Sequence, residues 1–290
     1  MRVPFALLPL PYGLVLQLIG TLLVIYGFWI EPHRLTLTRQ RLETPKLPTG
    51  LKFTLLHLGD LHVERITKRE RDLNRMIDEL KPDLILFSGD VLNLSYVEDP
   101  IAIDHARQIM QAWSAPLGVY GVAGSEAVDL VHIFPTLVNG MPLCWLRDET
   151  IPISLHGNTF SLTGMTCSHK PFRDAPILET LAGHTNRQFS IFLYHSPDLA
   201  PNAAHLGFDL QLSGHTHGGQ VCIPLYGPLF TASLYGRQFQ SGRYLIENMI
   251  LYITRGIGLE GKAAPRIRFL CPPEVIHWEI VGTGSAQTQP

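Results

Sequence analysis

The chain has 290 residues, ample for one large domain with a sizeable core. With 23 Lys and Arg against 25 Asp and Glu, its net charge is −2, which excludes the basic footprint of a nucleic-acid binder. The four cysteines, Cys144, Cys167, Cys222 and Cys271, form no CxxC pair, which excludes a zinc ribbon or a dense disulfide framework and leaves room for one disulfide.

The first candidate element is "GLVLQLIGTLLVIYGFWI", Gly13 to Ile30, eighteen residues without a charge. At about 1.5 Å per residue a helix of this length crosses most of a bilayer core. Tyr26 and Trp29 near one end suit the interface. A cleaved signal peptide has a shorter apolar region ending in small residues, whereas this segment runs into "WIEPHR". The reading is a single-pass anchor that stays on the protein. Arg34, Arg39, Arg41 and Lys46 follow the span, against Arg2 before it, so the positive-inside rule favours a cytoplasmic domain. "ETPKLPTG", Glu43 to Gly50, is punctuated by Pro and Gly and reads as a linker, so residues 1–50 are expected to be anchor and linker.

From Leu51 the pattern becomes that of a folded domain, expected over 51–282. "LKFTLLHL" is a short apolar run of the kind found in a strand covered on both faces. Leu73, Met76, Ile77 and Leu80 recur at helical spacing and define an amphipathic helix. "DLILFS" reads as a second buried strand, Ile103 to Trp113 as a helix, "GVYGVA" as a third strand, and Val128 to Leu137 as the helix after it. "PLCWLRD" and "IPISLHGNTFSLTGM" read as hairpin-linked strands, with the turn at the His-Gly-Asn ending in Asn158. Next come a helix near Ala175 to Ala182, then strands at "FSIFLYH", "FDLQLSG", "MILYIT" and "EVIHWEI". The end, 283–290, is expected to be a disordered tail. Buried strands alternating with helices, followed by hairpins, indicate an α/β class with mixed sheets in layers.

Ligands of open α/β sheets collect at the carboxyl ends of the strands. Those ends carry Asp60 and His62, then Asp90 after Gly89, then His195 within "LYHSPD", then His215 and His217 within "SGHTHGGQ". Imidazole nitrogens and carboxylate oxygens suit divalent zinc, iron or manganese without a thiolate. Residues i and i+2 of an extended segment share a side, so Asp60 with His62, and His215 with His217, can each face one ion. Any one of these pieces alone is an ordinary polar strand end. Their ordered recurrence points to a metal site. An HxH pair also occurs in zinc amidohydrolase barrels, but there it lies on the first strand, and here it lies near the last third of the chain.

Asp60-Leu61-His62, Gly89-Asp90, His195 and Gly214-His215-Thr216-His217 together resemble the calcineurin-like metallophosphoesterase superfamily. The N-terminal apolar segment, "LYHSPD", "GHTHGGQ" with "IPLYGP", and the late "TRGIGLEG" and "RIRFLCPPEV" are similar to its membrane-associated, YkuE/YaeI-like branch. The resemblance spans about Leu51 to Ile280. It implies a four-layer αββα sandwich with two mixed β-sheets, preceded by the transmembrane helix. It implies two divalent ions, with Asp60, His62 and His217 on the first, His195 and His215 on the second, and Asp90 bridging them. The implied reaction is hydrolysis of a phosphate ester, in particular a phosphodiester, by in-line attack of a metal-bridging hydroxide. The anchor adds the expectation of a lipid-linked or membrane-adjacent substrate.

One motif departs from the family. Its third strand end reads Gly-Asn-His-Asp/Glu, where Asn is a metal ligand and His assists the leaving group. This chain has Gly124-Ser125-Glu126-Ala127. Ser125 is then a short-reaching candidate ligand, and Glu126 a candidate catalytic group in the place of the histidine. Glu126 could act as acid, could turn in as a ligand, or could be dispensable if the leaving group needs no acid. Loss of a general acid typically costs about 10²–10⁴-fold, so a weakened phosphoesterase and a silent metal-binding or regulatory protein on the same fold both stay open. Of the remaining polar residues, Arg255 could clamp a phosphate but is better read as a structural turn arginine. Asn93 could order the surroundings of Asp90. His57 is expected to be a satisfied core histidine, and His169 and Lys170, in the loop "TCSHKPF", could reach substrate but are better read as part of a solvated loop.

Overall fold

Buried runs of alternating side chains build two sheets. The computed structural model describes residues 10–183, 185, 187–261 and 265–284. In chain order these form α1 (Leu10–Ile25), β1 (Thr36–Pro48), β2 (Lys52–Leu58), α2 (Lys68–Leu80), β3 (Leu84–Phe87), α3 (Pro100–Gln111), β4 (Val119–Gly121), α4 (Phe134–Val138) and β5 (Cys144–Trp145). There follow β6 (Glu149–Leu155), β7 (Asn158–Gly164), α5 (Pro171–Leu181), β8 (Ser190–Leu193), α6 (Ala200–His205), β9 (Leu210–Ser213), β10 (Cys222–Ile223), β11 (Gly227–Pro228), β12 (Gly242–Ile246), β13 (Met249–Ile253) and β14 (Glu274–Gly284). The sheet orders are β1-β14-β2-β3-β4-β5 and β12-β13-β9-β8-β7-β6, with β10 and β11 as a separate small ladder. Both sheets are mixed. Strands β2 to β5 are parallel with β14 antiparallel to β2, and β13, β9, β8 and β7 are parallel with β12 and β6 antiparallel at the edges.

Alternation along each strand sorts its side chains into layers. Leu84 and Leu86 of β3 meet Ile191 and Leu193 of β8 and Leu210 and Leu212 of β9 between the sheets. Ile85 and Phe87 face the other way, onto Leu73 and Ile77 of α2 and Ala106 and Ile109 of α3. Phe192 of β8 faces outward onto Leu178 of α5 and Ala203 of α6. Each large apolar side chain buried this way contributes about 1.5–3 kcal/mol. The outcome is the expected four-layer αββα sandwich. The carboxyl ends of its parallel strands share one rim.

Local signals account for most element ends. Thr67 and Glu70 form a reciprocal capping box at the start of α2. His156 (φ 49°) and Gly157 (φ 78°) form the tight turn between β6 and β7, a left-handed pair that matches the twist of a hairpin. The helix expected from Val128 is shortened to Phe134–Val138, because the residues before it turn to bring the Asp129 carboxylate onto backbone donors. All four cysteine thiols are free.

The expected linker is corrected. Residues 36–48 are the edge strand β1, parallel to β14 from Thr36↔Glu274 to Thr44↔Gly282. The prolines misled because an edge strand tolerates them. The register slips between Thr44 and Pro48, where Pro45 sits. Charged Arg39, Arg41 and Glu43 mark the strand as an exposed edge. The basic residues counted for membrane orientation are partly used by the domain: Arg41 pairs with Glu43 at 2.9 Å and Lys46 with Asp209 at 2.9 Å. At the other end β14 runs past the expected boundary through Thr283 and Gly284. The rest of the expected disordered tail, 285–290, lies outside the described residues.

Among the described residues one helix, Leu10–His33, is long and apolar enough to cross a membrane. Its first sixteen residues bury none of their side chains, and Leu14, Leu18 and Leu22 are exposed. Its carboxyl end is docked. The buried Glu31 carboxylate accepts from the backbone N–H of Leu270 at 2.8 Å and Cys271 at 2.6 Å, Gly27 O accepts from Arg268 N at 3.0 Å, and Tyr26 meets Phe269 edge-on at 6.0 Å. A Cβ on Gly27 would lie 2.9 Å from Ile267. Glu31→Ala strands two buried donors and should cost about 2–4 kcal/mol. An unfolding midpoint unchanged from wild type in detergent would refute this.

Candidate active site

The rim residues adopt unusual backbone geometry. Asp60 (φ 49°), His62 (φ 43°), Asp90 (φ 60°), His215 (φ 71°) and His217 (φ 52°) are all left-handed, at about 1–3 kcal/mol each. Backbone bonds between strand ends hold them: Asp60 N to Gly89 O at 2.9 Å, His62 N to Asp90 O at 3.2 Å, and Gly258 N to Asp60 O at 2.7 Å. Glycines permit the approach. A Cβ on Gly124 would lie 2.2 Å from Asp90 Oδ1, and one on Gly214 would lie 2.4 Å from Asp60 Oδ2.

Asp60, His62 and His217 converge into one buried cluster. His62 Nε2 lies 2.9 Å from His217 Nε2, and His217 Nε2 lies 3.7 Å from Asp60 Oδ1. His62 Nδ1 is spent on Leu92 O at 3.2 Å, which turns the other ring nitrogen into the cluster. Asp60 Oδ2 and His217 Nδ1 are buried without a hydrogen-bond partner. Two facing ring nitrogens and an orphaned carboxylate oxygen are a donor set that a divalent cation would satisfy. Glu260 Oε2, at 3.8 Å from both His62 Nε2 and His217 Nε2, borders the same space.

Asp90 stands between this cluster and a second one. Its Oδ2 lies 3.6 Å from His62 Nε2 and 3.3 Å from His195 Nε2, and its Oδ1 accepts from Ser125 N at 2.6 Å. His195 is aimed by Nδ1 donation to Ser88 O at 2.8 Å. His195, His215 and His169 bring their ring nitrogens within 4.8 Å of one another. Ser125 Oγ lies at 3.3 Å from Asp90 Oδ2, 3.2 Å from His195 Nε2 and 3.2 Å from His169 Nε2.

The buried charges of the two clusters perturb one another strongly. Burial, with the neighbouring Asp90 charge adding to it, raises Asp60 to about 6 against the pull of His195 and His62. Burial opposes charge on Asp90 too, but His195 and His62 with the Ser125 N–H more than offset it and hold Asp90 far below the usual carboxylate range. Burial lowers His195, and Asp90 more than reverses this, to about 9. His215 and His217 are pushed well down, first by burial and then by neighbouring imidazoles, which favours the neutral form that binds metal.

Other expected residues fall elsewhere. Glu126 is exposed and stays outside the ligand clusters; it lines a separate cavity of about 260 Å³ with Asp129, Phe134 and Trp145. Arg255 is no free phosphate clamp, because its guanidinium meets Glu274 Oε2 at 2.7 Å and donates to Pro272 O and Thr36 Oγ1. Asn93 ties Leu259 O to the turn at Ser95, its amide donating to Leu259 O at 2.8 Å and accepting from Ser95 N at 2.9 Å. His57 is a core histidine bonded to Ser88 Oγ at 3.1 Å, with burial lowering it to about 3. The expectation for His169 is corrected, since the loop "TCSHKPF" turns it into the second cluster.

Two contributors, Asp129 and Glu260, went unnoticed in the sequence, and a third, His169, was assigned to solvent. The buried Asp129 carboxylate accepts from Asp90 N at 3.0 Å, Val91 N at 3.0 Å and Gly124 N at 2.7 Å, locking two strand ends together. His169 and Glu260 follow carboxyl ends of parallel strands, β7 and β13, so the rule that selected the other rim residues would have reached both had those strands been read as parallel. Beside His215, His217 and Glu260 the rim opens into a cavity of about 770 Å³, whose far walls include Phe28, Phe230 and Ile267. The cavity thus runs from the ligand cluster to the end of the N-terminal helical segment.

Two αβ layers with carboxylate and imidazole clusters at one rim define a metal-binding hydrolase architecture. The profile of the calcineurin-like phosphoesterase family matches residues 53–219, and the chain belongs to that family, one of phosphoesterase hydrolases that use divalent metals. It is 29% identical to the uncharacterized metallophosphoesterase YkuE of Bacillus subtilis, over 89% of this chain and 90% of YkuE. It is 27% identical to the phosphodiesterase YaeI of Escherichia coli, over 88% and 92%. With the UDP-2,3-diacylglucosamine pyrophosphatase LpxG of Chlamydia trachomatis the identity is 26%, over 87% and 91%.

Proposed function

We propose that the chain is a membrane-anchored, dinuclear metal-dependent phosphoesterase acting on a lipid-linked phosphodiester or diphosphate. The observation that carries the reading is Asp90, placed between a cluster of Asp60, His62 and His217 and a cluster containing His195 and His215. In such a site a pair of divalent cations supplies an acidified water and neutralises charge on the phosphoryl group. The protein's own part is orientation. Asp129 sets the two loops that present Asp90 and Ser125, while Leu92 O and Ser88 O aim His62 and His195.

The exposed Glu126 supports a substrate whose leaving group needs no protonation, as a diphosphate provides. The apolar wall from Phe230 to Phe28 supports a lipid-linked substrate, with its phosphate at the rim and its chain toward the bilayer. The relative named a diacylglucosamine pyrophosphatase is consistent with both features.

Full-length protein in detergent should hydrolyse bis(p-nitrophenyl) phosphate with Mn²⁺, lose activity in EDTA and regain it on readdition. A diacylated diphosphate should show a KM about tenfold or more below its deacylated counterpart, since each buried CH₂ contributes about 0.8 kcal/mol. Equal KM values would remove the lipid reading. Metal uptake without turnover of any ester would instead favour a silent metal-binding protein, the reading that the Ser125-Glu126 replacement supports.

A further inference from the structure

We propose that His169 is a ligand of the second metal, filling the coordination position that the short Ser125 side chain leaves open. The proposal rests on the dinuclear reading above.

The first argument is convergence. The His169 ring lies 4.3 Å from His215 at 39° and meets His195 nearly edge-on at 5.7 Å, with nitrogens of all three rings drawn to one place. Ser125 Oγ sits at 3.2–3.3 Å from His169 Nε2, His195 Nε2 and Asp90 Oδ2 together. Ser125 Oγ can donate to Asp90 Oδ2 and accept from the two ring nitrogens, so it marks the point on which they converge. A cation there would take the lone pairs of the ring nitrogens instead, and His169 offers a third imidazole to it.

The second argument is that the loop is built. His169 is left-handed at φ 54°, at a cost of about 1–3 kcal/mol that the surrounding structure must offset. The buried Asp174 carboxylate fixes it, accepting from Ser168 N at 3.0 Å, Ser168 Oγ at 2.7 Å and Tyr194 OH at 2.5 Å. Tyr194 directly precedes His195, so the loop is tied to the strand end that carries a neighbouring ligand. The resulting set of three imidazoles and the Asp90 carboxylate matches the nitrogen-rich preference of zinc, iron or cobalt over magnesium.

The test counts metal. Apo protein is reloaded with Co²⁺, and ions per chain and the visible Co²⁺ absorption are measured. Wild type should hold two ions. His169→Gly, which suits the left-handed backbone and so preserves the fold, should weaken the second ion at least tenfold and remove part of the absorption. Adding Ser125→Asn to that variant should bring the second ion back. If His169→Gly keeps two ions with unchanged affinity and spectrum, the proposal is overturned and the dinuclear reading stands. Wild type holding fewer than two ions overturns both.

Discussion

Asp90→Asn should lower phosphodiester turnover by roughly 10³-fold or more while the protein still folds. Asp90 lies between the two clusters, 3.6 Å from His62 Nε2 and 3.3 Å from His195 Nε2. The amide is neutral and turns either an N–H₂ or a single oxygen toward the place where the proposed pair of ions would share an anion. Loss of groups that merely orient metal ligands costs about 10–100-fold, so loss of a shared ligand costs more. Folding should survive because the amide oxygen can still accept from Ser125 N, now at 2.6 Å from Oδ1. Rates with saturating Mn²⁺, measured beside metal content and melting midpoint, check this. A variant that keeps more than a tenth of wild-type activity would rule out the bridging role.

Asp129→Ala should be nearly as damaging, through the backbone rather than through a ligand. It removes the carboxylate bonded to the N–H groups of Asp90, Val91 and Gly124. A buried donor without an acceptor costs about 1–3 kcal/mol, so three of them give a loss of about 3–6 kcal/mol after partial relaxation. Activity should fall as well, because the Gly89-Asp90 and Gly124-Ser125 turns lie against each other with no room to shift independently. Asp129→Asn keeps one good acceptor and should fall between wild type and alanine. Chemical unfolding of the three proteins, with metal present and absent, provides the check. An alanine variant within 1 kcal/mol of wild type would contradict the role assigned to this carboxylate.

Both predictions concern groups that a linear reading treats differently. Asp90 was legible because it ends an apolar run, where a carboxylate is conspicuous. Asp129 lies four residues beyond Ser125 in a segment of helical appearance, and nothing local shows that its side chain bonds backward to two other loops. The linker reading failed for a similar reason. The partner of Thr36 to Thr44 lies at Glu274 to Gly282, near the far end of the chain, and the signal of pairing is shared between segments rather than present in either. Arg255 and Asn93 were plausible by composition alone. Their real partners, Glu274 and Leu259 O, are supplied by chain crossings.

What the amino-acid order determined was the part that depends on short range. Buried runs of period two, the capped amphipathic α2, the His156-Gly157 turn and the Asp, His and Gly residues ending each strand follow from local sterics and side-chain chemistry. These placed Asp60, His62, Asp90, His195, His215 and His217 on one rim before any contact was known. Tertiary structure decided what stands beside them. It put Glu126 outside the site and His169 inside, set Glu260 near the first cluster, and joined the docked N-terminal helix to the rim by an apolar cavity. The physical reason is that strand direction fixes which loops share an edge. Parallel β7 and β13 deliver their following loops to the metal side, and only the pairing of whole sheets sets that direction.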